Sequence, residues 1–197
     1  MSFQIKILLL SFAASTVISL IVIPILRKLK VGQSEREDGP QSHLKKKGTP
    51  TMGGLILIIT IVLLSAFLYI DYAKDEPEIA TRLLPMVFVT IGFGLIGFID
   101  DFKKVILHNT DGLSPKLKMI GLLIIAVAYV VMLVFNFDNG TDIYIPFVKT
   151  YITLPLWLYI PFAVIVILAT TNAVNLTDGI DGLSTSVTTI ILTCLTV

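Results

Sequence analysis

The feature that most limits how this chain can fold is a recurring apolar run, each about as long as a helix needs to cross a bilayer. Such a helix takes roughly 20 mostly apolar residues. Candidate runs cover Ile5 to Leu26, Met52 to Ile70, Leu83 to Ile99, Met119 to Phe135 and Leu156 to Thr171. A sixth begins near Thr185 and is still apolar at Val197. The chain is 55% hydrophobic and 15% charged, whereas soluble domains carry about 25% charged residues. So few charges cannot cover a water-facing surface of this size. Lipid removes the difficulty, because an apolar exterior is then favoured. The expected fold class is an all-α polytopic membrane protein with five complete transmembrane helices and the start of a sixth.

The first run resembles a signal peptide only superficially. It is long, lacks a clear small-x-small cleavage site and is followed by Arg27, Lys28 and Lys30, so a retained anchor is expected. Ser114 and Pro115 form an N-cap and first-turn pair ahead of the fourth run. From Thr185 to Val197 a helix would rise only about 20 Å, short of a hydrocarbon core of about 30 Å. The expectation is one transmembrane domain over 1–197, the N-terminal portion of a larger bundle. Cys194, the single cysteine, can form no internal disulfide and is expected to be a buried, inert thiol.

Lysine and arginine counts in the loops set the expected orientation. Arg27, Lys28, Lys30, Arg36, Lys45, Lys46 and Lys47 follow the first run, and Lys103, Lys104, Lys116 and Lys118 follow the third. The other side carries only Lys6, Lys74, Arg82 and Lys149. The N-terminus is therefore expected outside, with the first, third and fifth connections cytoplasmic. Between the fourth and fifth runs, Ile143, Tyr144, Ile145, Phe147, Val148, Tyr151 and Ile152 are β-formers around a turn. They predict a small external β-hairpin.

Three polar stretches fall on the same expected face. The first, Asp38 to Gly54, reads DGPQSHLKKKGTPTMGG. Its glycines expose backbone N–H groups at a helix start beside lysines, an arrangement that favours an anion such as phosphate. The P-loop order GxxxxGK[ST] is absent, and the lysines alone would also fit an ordinary positive-inside loop. The second, Ile99 to Lys104, reads IDDFKK. Adjacent Asp100 and Asp101 repel each other and are costly near lipid. A divalent cation or a shared proton relieves that repulsion, and two solvated acids at a helix end is the plainer alternative. The third, Asn172 to Gly182, reads NAVNLTDGIDG. Asn172, Asn175, Asp178 and Asp181 recur every third residue, so the first three can share a helix face, with Gly179 and Gly182 then ending the helix. His43 and His108 have no second ligand at helical spacing, and a solvated role is expected for both. Trp157 and Tyr159 fit ordinary interfacial aromatics.

Together and in this order, DGPQSHLKKKGTPTMGG, GFIDDFKK and NAVNLTDGIDGL resemble the polyprenyl-phosphate N-acetylhexosamine-1-phosphate transferase family. The first motif is similar to the branch that handles phospho-MurNAc-pentapeptide. The resemblance implies a Mg²⁺-dependent transfer from UDP-MurNAc-pentapeptide to undecaprenyl phosphate, giving lipid I and UMP in peptidoglycan synthesis. It also implies a ten-helix bundle in the bacterial cytoplasmic membrane, an active site on the cytoplasmic face, a homodimer when full length, and no nucleic-acid partner. By motif, Asp100, Asp101 and Asp178 are the expected catalytic residues. Lys46, Thr51, Asn172, Asn175 and Asp181 are expected to bind substrate, and Asn175 is the metal-ligand candidate. Later family loops, which carry a further metal-binding aspartate and a histidine-rich motif, have no counterpart in these residues, so half a site and no activity alone are expected. The alternatives are a GlcNAc-1-phosphate transferase of the same family and a membrane transporter. A transporter, however, would place its polar residues near the bilayer midplane.

Overall fold

A computed structural model describes residues 3–28, 51–106, 112–137, 140–179 and 182–196. The elements in order are α1 (Phe3–Lys28), α2 (Gly54–Asp75), α3 (Pro77–Ile106), α4 (Pro115–Asn136), β1 (Asp142–Ile145), β2 (Thr150–Thr153), α5 (Leu156–Thr177) and α6 (Leu183–Thr196). Among the described residues, α1 to α5 are the helices long and apolar enough to cross a membrane, and α6 is shorter. The most enclosed apolar window, in α4, is only 17% buried. Leu20, Phe12, Leu57 and Ile124 stand on the outside. This inverts the arrangement of a soluble protein and matches a fold whose solvent is hydrocarbon.

Helices α1 to α5 each run past the C-terminal end of their apolar stretch, because intrahelical hydrogen bonding continues through the polar turn that follows. The effect matters most at α3. Its apolar run ends at Ile99, yet the helix continues to Ile106 with Lys103 and Lys104 in its last turn. Asp100 and Asp101 therefore sit inside the helix rather than at its end. The lysines, not the acids, face the negative end of the helix dipole.

The chain forms two compact units, Met1–Ile125 and Ala126–Val197.

In the first unit, α2 packs against both α1 and α3. Phe3 at the start of α1 meets Tyr72 near the end of α2 edge to face, ring centroids 6.0 Å apart. A side chain on Gly94 of α3 would collide with Ile58 of α2, and a Cβ on Gly121 of α4 would lie 2.7 Å from Ile96 of α3. Small residues of this kind let helix backbones approach closely where no hydrophobic drive separates protein from lipid. Thr60, buried in α2, donates its hydroxyl to the Ile56 carbonyl at 2.7 Å, which keeps a polar group satisfied within its own helix.

The second unit holds the expected hairpin. β1 and β2 pair antiparallel, with Asp142 opposite Thr153 and Tyr144 opposite Tyr151. The two tyrosine rings lie 5.1 Å apart, the cross-strand contact that fixes register. Lys149 takes φ 53° in the turn, and its N–H donates to the Ile145 carbonyl at 2.8 Å. Further on, α5 and α6 pack against each other.

Candidate functional site

The site in the first unit grows from the last two turns of α3. Asp100 is 6% exposed. A buried carboxylate is costly unless its oxygens are paired, and here they are. Oδ1 accepts the Leu113 backbone N–H at 2.8 Å. Oδ2 accepts from Lys104 Nζ at 2.9 Å and from Lys118 Nζ at 3.4 Å. Lys104 reaches it because residues four apart on a helix are neighbours. Lys118 reaches it from the first turn of α4, which Ser114 opens by accepting the Leu117 N–H at 3.4 Å. That cap is the one expected from the sequence.

Asp101 points elsewhere. Its side chain is 35% exposed, and its Oδ1 lies 3.8 Å from Lys104 Nζ. Its Oδ2 accepts the Thr51 hydroxyl at 3.4 Å. Thr51 stands just ahead of α2, and the next residue, Met52, has φ 68°. A non-glycine residue in that region carries strain, a condition common where function dictates backbone shape. Between α2 and α3 an open cavity of about 180 Å³ is lined by Met52, Gly54, Leu55, Ile58, Gly94, Gly97, Phe98 and Asp101. Asp101 is its one charged wall residue.

The cluster sets two carboxylates against two ammonium groups. Lys104 lies between the acids and relieves the repulsion that adjacency imposes. Two of the three sequence stretches thus meet in space, since Thr51 from the first touches Asp101 from the second. Lys104 and Lys118 were legible only as members of basic loops. The four-residue spacing of Asp100 and Lys104 was a usable signal for the first of them. No sequence signal pointed to Lys118 or to the Leu113 N–H.

In the second unit, Asn172 and Asn175 lie on the last turns of α5, and Asp178 is its C-cap residue. Asn172 is partly buried and donates Nδ2–H to the Leu168 carbonyl at 2.7 Å. Asn175 and Asp178 are exposed. Gly182, at φ 79°, is the glycine of this loop with left-handed backbone, ahead of α6. Lys46, Asp181, His43 and His108 lie outside the described residues. Cys194 is exposed on α6 rather than buried.

Among the described residues no three His, Cys, Asp or Glu side chains stand close enough to hold a metal together. Mg²⁺ commonly takes one or two carboxylates, with waters and substrate phosphates completing its shell. Asp101 fits that pattern, being partly exposed and facing a cavity. Asp100 does not fit it in this arrangement, because N–H donors occupy both of its oxygens.

Comparison with known proteins bears on the whole chain. Residues 83–197 match the family described as glycosyl transferase family 4. Residues 46–58 match signature 1 of phospho-N-acetylmuramoyl-pentapeptide-transferase. The chain is 49% identical over 190 residues to the phospho-N-acetylmuramoyl-pentapeptide-transferase of Acetivibrio thermocellus, covering 96% of this chain and 54% of that protein. It is 48% identical over 187 residues to that of Clostridium botulinum strain Alaska E43, covering 94% and 54%. It is 44% identical over 177 residues to that of Bacillus subtilis, covering 89% and 52%. The chain thus spans about half the length of the curated relatives it matches. With the family match extending over more than half of its residues, this chain belongs to glycosyl transferase family 4 and carries the first phospho-N-acetylmuramoyl-pentapeptide-transferase signature at 46–58.

Proposed function

We propose that this chain is part of an enzyme that transfers phospho-MurNAc-pentapeptide from UDP-MurNAc-pentapeptide to undecaprenyl phosphate, yielding lipid I and UMP. The observation that carries the reading is the cluster of Thr51, Asp100, Asp101, Lys104 and Lys118 at the polar end of a membrane helix. The names of the relatives agree with it.

The chemistry brings anions together. An oxygen of the lipid phosphate attacks the phosphorus that bears the sugar. A new P–O bond forms, the bond to the uridine-linked phosphate breaks, and UMP leaves with the bonding electrons. Such transfers are accelerated mainly by positioning and by neutralising charge. Lys104, held between the two carboxylates, supplies a cation beside the reacting groups. Thr51 orients Asp101 by donating to Oδ2. Asp101 would hold Mg²⁺, with Asn175 as a second candidate, and the ion when bound would supply charge neutralisation at the diphosphate. Lys46, Asn172, Asp178 and Asp181 are assigned to the nucleotide-sugar.

The lysine and arginine bias supports a site on the cytoplasmic face of the bacterial inner membrane. The full-length protein would work as a homodimer, and the 197-residue chain alone would be inactive.

The test is UMP release by the full-length protein with undecaprenyl phosphate and Mg²⁺, offering UDP-MurNAc-pentapeptide or UDP-GlcNAc as donor. Turnover with the muramoyl donor alone is expected. Turnover with UDP-GlcNAc alone would replace this reading with the sister activity, and solute flux without UMP release would replace it with transport.

A further inference from the structure

The segment just ahead of α4 is built around one carboxylate. Gly112 is buried and has φ 64°, a backbone conformation that L side chains rarely adopt. That turn aims the Leu113 N–H at Asp100 Oδ1, 2.8 Å away. There is no room for a side chain at Gly112. A Cβ would lie 2.5 Å from Asp100 Oδ1, 2.6 Å from Lys104 Cε and 3.2 Å from the Asp100 carbonyl oxygen. One turn into α4, Lys118 closes on Asp100 Oδ2 at 3.4 Å. The carboxylate is thus gripped from its own helix by Lys104, from the segment ahead of α4 by Leu113 and from α4 by Lys118.

This grip sets where Lys104 stands. Its ammonium is 2.9 Å from Asp100 and 3.8 Å from Asp101. A carboxylate free to rotate would let that long side chain swing into water, as exposed lysines do. Held, it keeps a cation beside the cavity that Asp101 lines.

We propose that Gly112 and Lys118 are positioning residues: with the Leu113 N–H they clasp Asp100, and the clasped carboxylate holds the Lys104 ammonium beside Asp101 for an anionic phosphate substrate. Gly112 acts through Asp100 and touches no substrate. The inference rests on the phosphoryl-transfer reading for its consequence but not for the clasp itself.

The experiment is a double-mutant cycle in the full-length protein, pairing Gly112→Ala with Asp100→Asn. It is read by UMP release and, independently of activity, by the rate at which an amine-reactive ester labels Lys104. Gly112→Ala is expected to lower kcat about tenfold or more, to leave KM for either substrate within about threefold, and to speed Lys104 labelling several-fold. In the Asp100→Asn background the same change is expected to cost less than about twofold on both readouts, because residues acting through one another are not additive. Should Gly112→Ala fail to fold, Lys118→Met takes its place in the cycle, with Lys118→Arg expected to restore the wild-type values. An equal cost in both backgrounds would overturn the proposal, as would unchanged labelling, or faster labelling with unchanged kcat. If the wild type releases no UMP, the functional reading fails, and the labelling cycle alone decides whether the clasp exists.

Discussion

Thr51 Oγ1 and Asp101 Oδ2 lie 3.4 Å apart although fifty residues separate them in sequence. The contact joins the polar entry of α2 to the acidic pair on α3 and holds both at one end of the helix pair. Thr51→Val removes the donor and keeps the shape. Since the bond is long and partly exposed, the expected effect on turnover is modest, about two- to fivefold. Steady-state kinetics of the full-length enzyme would measure it, and an unchanged rate would relieve Thr51 of any role in orienting Asp101.

The two aspartates should respond differently. Asp101→Asn is expected to lower turnover by about a hundredfold or more while leaving thermal stability close to wild type, because its carboxylate is partly exposed and only loosely paired. Asp100→Asn should lower both. It leaves Lys104 and Lys118 without their shared counter-ion and should cost about 1–3 kcal/mol of stability. Thermal unfolding in detergent beside a UMP-release assay separates the two cases. Equal destabilisation by both variants would contradict the burial difference.

Chelation should stop the reaction, and added Mg²⁺ should restore it. If Asp101 holds the ion, Asp101→Asn raises the Mg²⁺ concentration for half-maximal rate by about tenfold or more. A Mg²⁺ titration with an unshifted midpoint would move the metal to other residues. Asp178→Asn is expected to lower turnover without altering that midpoint.

The packing of α2 on α3 makes a prediction apart from chemistry. Gly94→Val pushes a branched side chain into Ile58 and should cost about 1–3 kcal/mol through overpacking. Gly97→Ala, where a Cβ meets nothing within 4 Å, should be close to neutral for stability. Melting temperatures of the two variants provide the comparison, and a reversed order would mean that the two helices pack differently.

Orientation is open to direct labelling. In a Cys194→Ser background, Lys149→Cys is expected to react with an impermeant maleimide from outside the cell, and Lys103→Cys only after the membrane is opened. The opposite pattern would invert the topology.

The spans were readable because a bilayer imposes one severe rule, about 20 apolar residues per crossing. The hairpin was readable because β-formers flanked a turn between two such runs. The end of α3 was not readable from hydropathy, which stops at Ile99, while the helix runs on to Ile106. In the candidate site, Thr51, Asp100 and Asp101 were legible as residue types suited to phosphate chemistry. The difference between the two acids was not, since it arises from Leu113 and Lys118, which reach Asp100 across a helix connection. Sequence spacing encodes neighbours along one helix and carries no direct record of neighbours between two.

On the proposed function, the length of α3 has a consequence for where a lipid-borne reactant would meet the protein. Thirty residues make a rod of about 45 Å, and the oily interior of a bilayer occupies only about 30 Å of it. The surplus turns must stand among the lipid headgroups or tilt the rod. Asp100 and Asp101 belong to that surplus. On that function, the phosphate of a lipid carrier would float at the same height. Such an acceptor would not have to climb out of the membrane to react; it could drift sideways, its tail still dissolved, until its head reached the acids.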